Sequence, residues 1–222
     1  FAVIGYGKLG GIELGYGSDL DLVFIHALEE QSETDGKKSI SGAEFAIRVA
    51  QKFMSLMTTQ TLDGRVYEID TRLRPSGEAG MLVTSLKAYE HYQQKSAWLW
   101  EHQALVRARS IAGDTDLCQQ FEQIRCQILT QVRDENEVRQ EVLKMRQKMK
   151  DHLGSSTEQK KHGIFHLKQD AGGIVDIEFM AQYAVLAWGG TNPDLAHYSD
   201  NVRILEDAAR AGCLSSEDAT AL

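Results

Sequence analysis

The first hundred residues switch between two hydrophobic periods, and the remainder keeps one. Phe1-Ala-Val-Ile4 is a short apolar run ending at Gly5, and Asp19-Leu-Asp-Leu-Val-Phe-Ile25 alternates acid with apolar before becoming wholly apolar. Both read as strands, the second as a central one. A Gly-rich turn and a short helix are expected between them. Phe45, Val49, Phe53, Leu56 and Met57 recur at spacings of three and four, predicting an amphipathic helix. Val66-Tyr-Glu-Ile-Asp70 alternates again, Arg74-Pro75-Ser-Gly77 is a turn signal that stops it, and Met81 to Thr84 reads as one more strand. After Ser85 the pattern stays helical almost to the end. Leu117, Phe121, Ile124 and Ile128 follow an Asp114 cap, and Val138, Val142, Met145 and Met149 run to a stop at Gly154. Residues 155 to 163 are polar and read as a linker. Gly172-Gly173 opens an apolar helix from Ile174 to Trp188, and Asp200 caps another containing Val202 and Leu205. A mixed half followed by a helical half predicts an α+β chain of two packed units, 1–112 and 113–222.

Composition changes this picture little. The 222 residues are 42% hydrophobic and 25% charged, as in an ordinary globular protein. No apolar run approaches the roughly 18 residues of a membrane span. The start at Phe1, inside an apolar run and without an initiator Met, reads as a piece of a longer protein, and the end at Leu222 within a helix points the same way. Charge matters more. The net of −8 would repel a phosphate backbone, so no nucleic-acid partner is expected. Cys118, Cys126 and Cys213 are an odd count without CxxC spacing, which predicts free thiols and a cytoplasmic setting.

Gly5-Tyr-Gly7-Lys-Leu-Gly10 is literally GxGxxG after a strand, yet it does not predict a dinucleotide site. That fold places its ribose-binding acid about 20 residues on, at the end of the second strand. Here Asp19 and Asp21 precede the apolar part of theirs. A P-loop fails too, because no Ser or Thr follows Lys8. What remains is a Gly-rich turn before two acids on one strand face, near enough to share divalent ions. Asp70 ends another strand, with Arg72 and Arg74 beside it as natural phosphate ligands. Three carboxylates facing a triphosphate are the parts for Mg²⁺-dependent phosphoryl chemistry, in which two ions about 3.5–4 Å apart activate the attacking oxygen and neutralise the leaving group. Zinc does not match, since no HExxH or CxxC spacing occurs.

At these residues the chain resembles the nucleotidyltransferase superfamily that includes DNA polymerase beta and kanamycin nucleotidyltransferase. Gly7-Lys8, ten residues, then Asp19-x-Asp21 matches its turn-to-strand spacing, with Lys8 in place of the usual Ser or Gly. The longer strings are more specific. Residues 1–26, Tyr67-EIDTRLRPSGEAGMLVTS, Trp98-LWEHQALVRAR, Gly172-GIVDIEF and Ser199-DNVRILE resemble glutamine synthetase adenylyltransferase over essentially the whole chain, in the form of its C-terminal, AMP-attaching copy. The resemblance implies a DNA polymerase beta-like core with a mixed sheet, followed by an all-α bundle. It implies transfer of AMP from ATP to a tyrosine hydroxyl of glutamine synthetase with release of pyrophosphate. Asp19, Asp21 and Asp70 would be the catalytic and metal-binding acids, and Gly7, Lys8, Ser18, Arg72 and Arg74 the nucleotide-binding residues. The alternatives are phosphorolytic removal of AMP, or a regulatory module that binds a PII-type signalling protein. Glu68 reads as a solvated acid, and Trp98, Trp100 and Tyr89 as core between the halves. Arg107 and Arg109, placed on one helix, face different ways, one toward the nucleotide and the other toward a carboxylate. Lys168, Asp170, Asp176 and Glu178 read as a family motif around an acid-capped helix start.

Overall fold

The computed structural model describes residues 1–62, 64 and 67–222. It is α+β with a mixed sheet, and its Cα positions fall into two compact units. One is formed by Phe1–Ala97 with Arg107–Ile128, the other by Trp98–Val106 with Leu129–Leu222. Residues 112 and 113, where the sequence reading divides the chain, both lie inside a strand.

The first unit runs β1 (Ala2–Gly5), α1 (Gly7–Gly10), β2 (Leu20–His26), α2 (Gly42–Met57), β3 (Ile69–Asp70), β4 (Val83–Ser85) and α3 (Leu86–Lys95). After α4 (Leu99–Val106) it resumes with β5 (Arg109–Gly113) and α5 (Thr115–Leu129). β2 is the central strand. It pairs antiparallel with β1 on one side and parallel with β3 and β4 on the other, and β5 extends the sheet beyond β1. A strand hydrogen-bonded on both edges has apolar residues on both faces, and every residue of β2 except Asp21 is buried. Leu20, Leu22 and Phe24 pack with Val3, Val83, Ala46 and Ala50, so α2 covers this face through its alanines and Phe53, whereas Phe45 and Leu56 of the expected stripe are exposed. The Phe24 ring lies between Phe1 and Phe53, at 5.9 and 5.8 Å. Tyr6, Tyr89 and Phe121 are also buried, with the two tyrosine hydroxyls hydrogen-bonded at 2.7 Å.

The second unit holds α4, α6 (Glu135–Leu153), α7 (Thr157–Lys161), α8 (Ile174–Trp188), α9 (Asn201–Arg210) and α10 (Ser216–Ala221). α8 is its hub, with α4, α6 and α9 packed against it. Seven of its residues are buried, from Val175 to Leu186, and Gln182 among them accepts a hydrogen bond from Gln103 Nε2 at 3.0 Å. Asp134 and Asp200 cap α6 and α9 through side-chain acceptors, as a short acid before an apolar stripe predicts. No helix among the described residues is long and apolar enough to cross a membrane.

Several expectations need correction. The run after Ser85 is not helical throughout: β5 interrupts it, so Arg109 is a strand residue and Arg107 lies in the turn after α4. The presumed linker contains α7. Trp98 and Trp100 are exposed, at 72% and 40%, while Tyr89 is fully buried. The strand expected over 66–70 is assigned only at Ile69–Asp70, and Val66 lies outside the described residues.

Candidate active site

The parallel pairing of β2 with β3 sets Asp21 opposite Asp70, and Asp19, immediately before β2, brings its carboxylate to the same place. The result is a cluster of three carboxylates whose nearest oxygens all lie within 4.8 Å of one another. The Gly-rich turn closes against it. Gly7 has φ +54°, and a Cβ there would collide with Asp21 Oδ2, so only glycine lets the backbone come this close. Tyr6 N donates to Asp21 O at 2.9 Å, tying the turn to the same strand.

Three negative charges at this separation repel one another unless cations offset them. Arg72 supplies one. Its backbone N and Nε donate to Asp70 Oδ1 at 2.8 and 3.0 Å, and Nε and Nη2 reach Oδ2. This fork holds the Asp70 carboxyl below the ordinary value of 3.8, against the opposing effect of burial. Arg72 itself is 69% exposed, so it reaches in from solvent. Asp19, Asp70, Arg72 and Arg74 line a cleft of about 560 Å³ together with Glu68, Ile69, Thr71 and Glu78. An oxygen-only donor set of this density suits a hard divalent cation such as Mg²⁺ and has no His or Cys to favour zinc.

The other expected ligands are placed differently. The Ser18 hydroxyl is buried and accepts from Gly15 N at 3.4 Å, closing its own turn. Lys8 is half-buried on α1. Arg74 donates to Thr71 O at 2.8 Å, Thr71 Oγ1 at 3.0 Å, Glu78 O at 3.1 Å and Gly80 O at 3.3 Å. It therefore braces the loop that follows Asp70 and lines the cleft from there. Gly7, Lys8 and Ser18 are not among the residues that line that cleft.

The family model for glutamate-ammonia ligase adenylyltransferase matches residues 1–124, more than half of the chain. The chain belongs to this family. A second model, for GlnD PII-uridylyltransferase, matches residues 142–222. The chain is 87% identical over 222 residues to a bifunctional glutamine synthetase adenylyltransferase/adenylyl-removing enzyme of Acinetobacter baylyi, covering all of this chain and 24% of that protein. It is 54% identical over 226 residues to the enzyme of the same name from Pseudomonas aeruginosa, covering 98% of this chain and 23% of the relative. The corresponding protein of Mannheimia haemolytica is 55% identical over 223 residues, again covering all of this chain and 23% of the relative. The chain thus spans about a quarter of the length of the curated relatives it matches.

In this adenylyltransferase-family chain the acids around Gly172-Gly173 do structural work within the helical unit. Asp170, 3% exposed, accepts from Ser155 N and His166 N, each at 2.8 Å. Asp176 accepts from Gly172 N at 2.6 Å and pairs with Arg146, whose Nη2 also donates to Gln169 O at 2.9 Å. The apolar stripe of α6 gave no sign of Arg146, which occupies a buried position on that stripe. The two arginines after α4 were named from sequence with the wrong secondary structure. Both turn toward α1.

Proposed function

We propose that the first unit is a DNA polymerase beta-like nucleotidyltransferase core that transfers AMP from ATP to a tyrosine hydroxyl of glutamine synthetase. The observation that carries this reading is the cluster of Asp19, Asp21 and Asp70 beside the Gly7 turn. In the reaction the tyrosine oxygen forms a bond to the α-phosphorus. The bond from that phosphorus to the β-phosphate oxygen breaks, pyrophosphate leaves, and the phenolic proton is lost to solvent.

Mg²⁺ held by the three acids would neutralise phosphate charge and assist ionisation of a phenol whose pKa is about 10. The remaining work belongs to the chain. A carboxyl that Arg72 holds below its ordinary value is a weak base, so Asp70 contributes charge and position rather than proton removal. Lys8 and Arg72 bring positive charge to the triphosphate, and Arg74 fixes the loop that carries Arg72. The helical unit, matched by the uridylyltransferase model, is the side on which a PII-type regulator would act, in a cytoplasmic enzyme.

The test uses protein carrying this sequence, α-labelled ATP, Mg²⁺ and glutamine synthetase. Label moving to glutamine synthetase, with pyrophosphate released, is the expected result. ADP appearing from adenylylated glutamine synthetase and phosphate, with no forward transfer, would instead identify the AMP-removing reaction. Binding of a PII-type protein without any turnover would leave only the regulatory module.

A further inference from the structure

The GxGxxG run continues into Gly11, and neither Gly10 nor Gly11 touches the acid cluster. Both meet Arg107. A Cβ on Gly10 would collide with the carbonyl of Arg107, and one on Gly11 would lie 2.6 Å from its Nη2. The guanidinium cannot simply move aside. Arg107 is 3% exposed, donates from Nε to Gly7 O at 3.4 Å, and pairs through Nη2 with Glu13 at 2.7 Å. Arg109 completes the arrangement from the adjoining strand β5, donating from Nε to Gly10 O at 3.1 Å and from Nη2 to Leu9 O at 3.3 Å. Two cations therefore hold the carbonyls of Gly7, Leu9 and Gly10, the whole of α1 except Lys8.

The chain accepts backbone strain to complete this clamp. Ile12, β-branched and 59% exposed, adopts φ +59°, a left-handed conformation that such a residue rarely occupies. It turns the chain so that Glu13 N bonds Lys8 O at 2.8 Å and the Glu13 carboxylate meets Arg107. Strain kept at an exposed position points to a geometry needed nearby.

We propose that Arg107 and Arg109 are positioning residues. They press the Gly7 turn onto Asp21 and so fix both the Asp21 carboxylate and the Lys8 side chain, without touching phosphate themselves. This rests on the nucleotidyl-transfer reading of the acid cluster. Arg107 is not among the residues that line the cleft, but its bond to Gly7 O decides where Gly7 stands. A lysine cannot replace it, because one ammonium lacks the planar fork that serves a carbonyl and a carboxylate together.

The test compares Arg107→Lys, Arg109→Lys and Glu13→Gln with the parent protein. Nucleotide-free Mn²⁺ affinity, kcat and KM for ATP, and thermal unfolding are measured on each. The expected result is about tenfold weaker Mn²⁺ binding and a kcat lowered about tenfold or more, with a smaller change in KM, at nearly unchanged folded fraction. Glu13 is one-third exposed, so Glu13→Gln keeps the test decisive if Arg107→Lys fails to fold. Unchanged Mn²⁺ affinity and kcat in the folded variants would overturn the proposal, as would losses that only track the unfolded fraction. A KM rise without loss of kcat or of Mn²⁺ affinity would overturn it too, since that marks direct phosphate contact. Asp19→Asn is run in parallel. If it stays active, the site reading itself has failed, whereas an inactive Asp19→Asn beside normal arginine variants removes only the clamp.

Discussion

Two glycine-flanked groups of acids stand in this chain, one in each unit, and they differ in how their charge is cancelled. In the helical unit, Asp170 is buried with both carboxylate oxygens accepting backbone N–H groups, and Asp176 is shared between Gly172 N and Arg146. Both of these acids are matched by the fold's own donors. In the sheet unit, three carboxylates crowd within 4.8 Å, and the cation bound to Asp70 is an arginine that is 69% exposed. Acid count and nearby glycine do not distinguish the groups. What distinguishes them is how the carboxylates are held, because oxygens of three acids crowded together, with an exposed arginine beside one of them, offer ligands to an external cation, whereas a buried carboxylate with backbone donors on both oxygens does not.

The largest effect that could break this contrast is at Asp19. Asp19→Asn removes one charge and one ligand from the cluster, and AMP transfer is expected to fall at least about a hundredfold, equivalent to about 2.7 kcal/mol of barrier. Stability should stay level or rise slightly, since two like charges lose a repelling neighbour. Transfer of α-label and thermal unfolding, measured together, check both halves. A variant that loses stability in step with activity would make the cluster a structural feature like its counterpart.

Asp170→Ala is predicted to behave in the opposite way. It leaves Ser155 N and His166 N buried without their acceptor, which costs about 2–3 kcal/mol in denaturant unfolding. Turnover per folded molecule should be unchanged. Loss of turnover at full stability would give this second group a part in the chemistry and dissolve the contrast.

Much of the contrast was legible in the chain, but unevenly. Asp19 and Asp21 could be read because the strand period is local, and Asp70 because a turn signal ends its strand. The end of α6 and the bounds of α8 follow equally local cues, Gly154 and Gly172-Gly173. β5 could not be read. Arg109-Ser-Ile-Ala-Gly113 is an edge strand with two exposed residues and none fully buried, so it carries no alternation, and helical stripes flank it. Its misassignment hid the clamp, since Arg107 and Arg109 meet α1 across about a hundred residues of sequence. Arg74 shows the same limit from the other side. Its residue type suggests phosphate, while its guanidinium braces the loop through Thr71, Glu78 and Gly80. Composition names the donor, and only the fold decides which acceptor reaches it first.

The smallest predicted effect tests whether backbone satisfaction of a buried group depends on its protonation. His26 ends β2, at the opposite end of the strand from Asp19, and is buried with Nδ1 accepting from Leu28 N at 3.2 Å. Like Asp170 it is matched by a main-chain donor, but one added proton destroys the acceptor. Burial lowers its pKa below the ordinary 6.5, so between that lowered value and 6.5 the unfolded chain binds more protons than the folded one. Stability therefore rises with pH through this window and is lost as pH falls, with a slope of at most about 1.4 kcal/mol per pH unit for a single group. His26→Gln keeps an acceptor that cannot be protonated, and urea unfolding between pH 5 and about 7.5 should show a flatter acid limb. An unchanged slope would mean that His26 is charged without cost in the fold. Main-chain matching would then account for the carboxylates of the helical unit without extending to this imidazole.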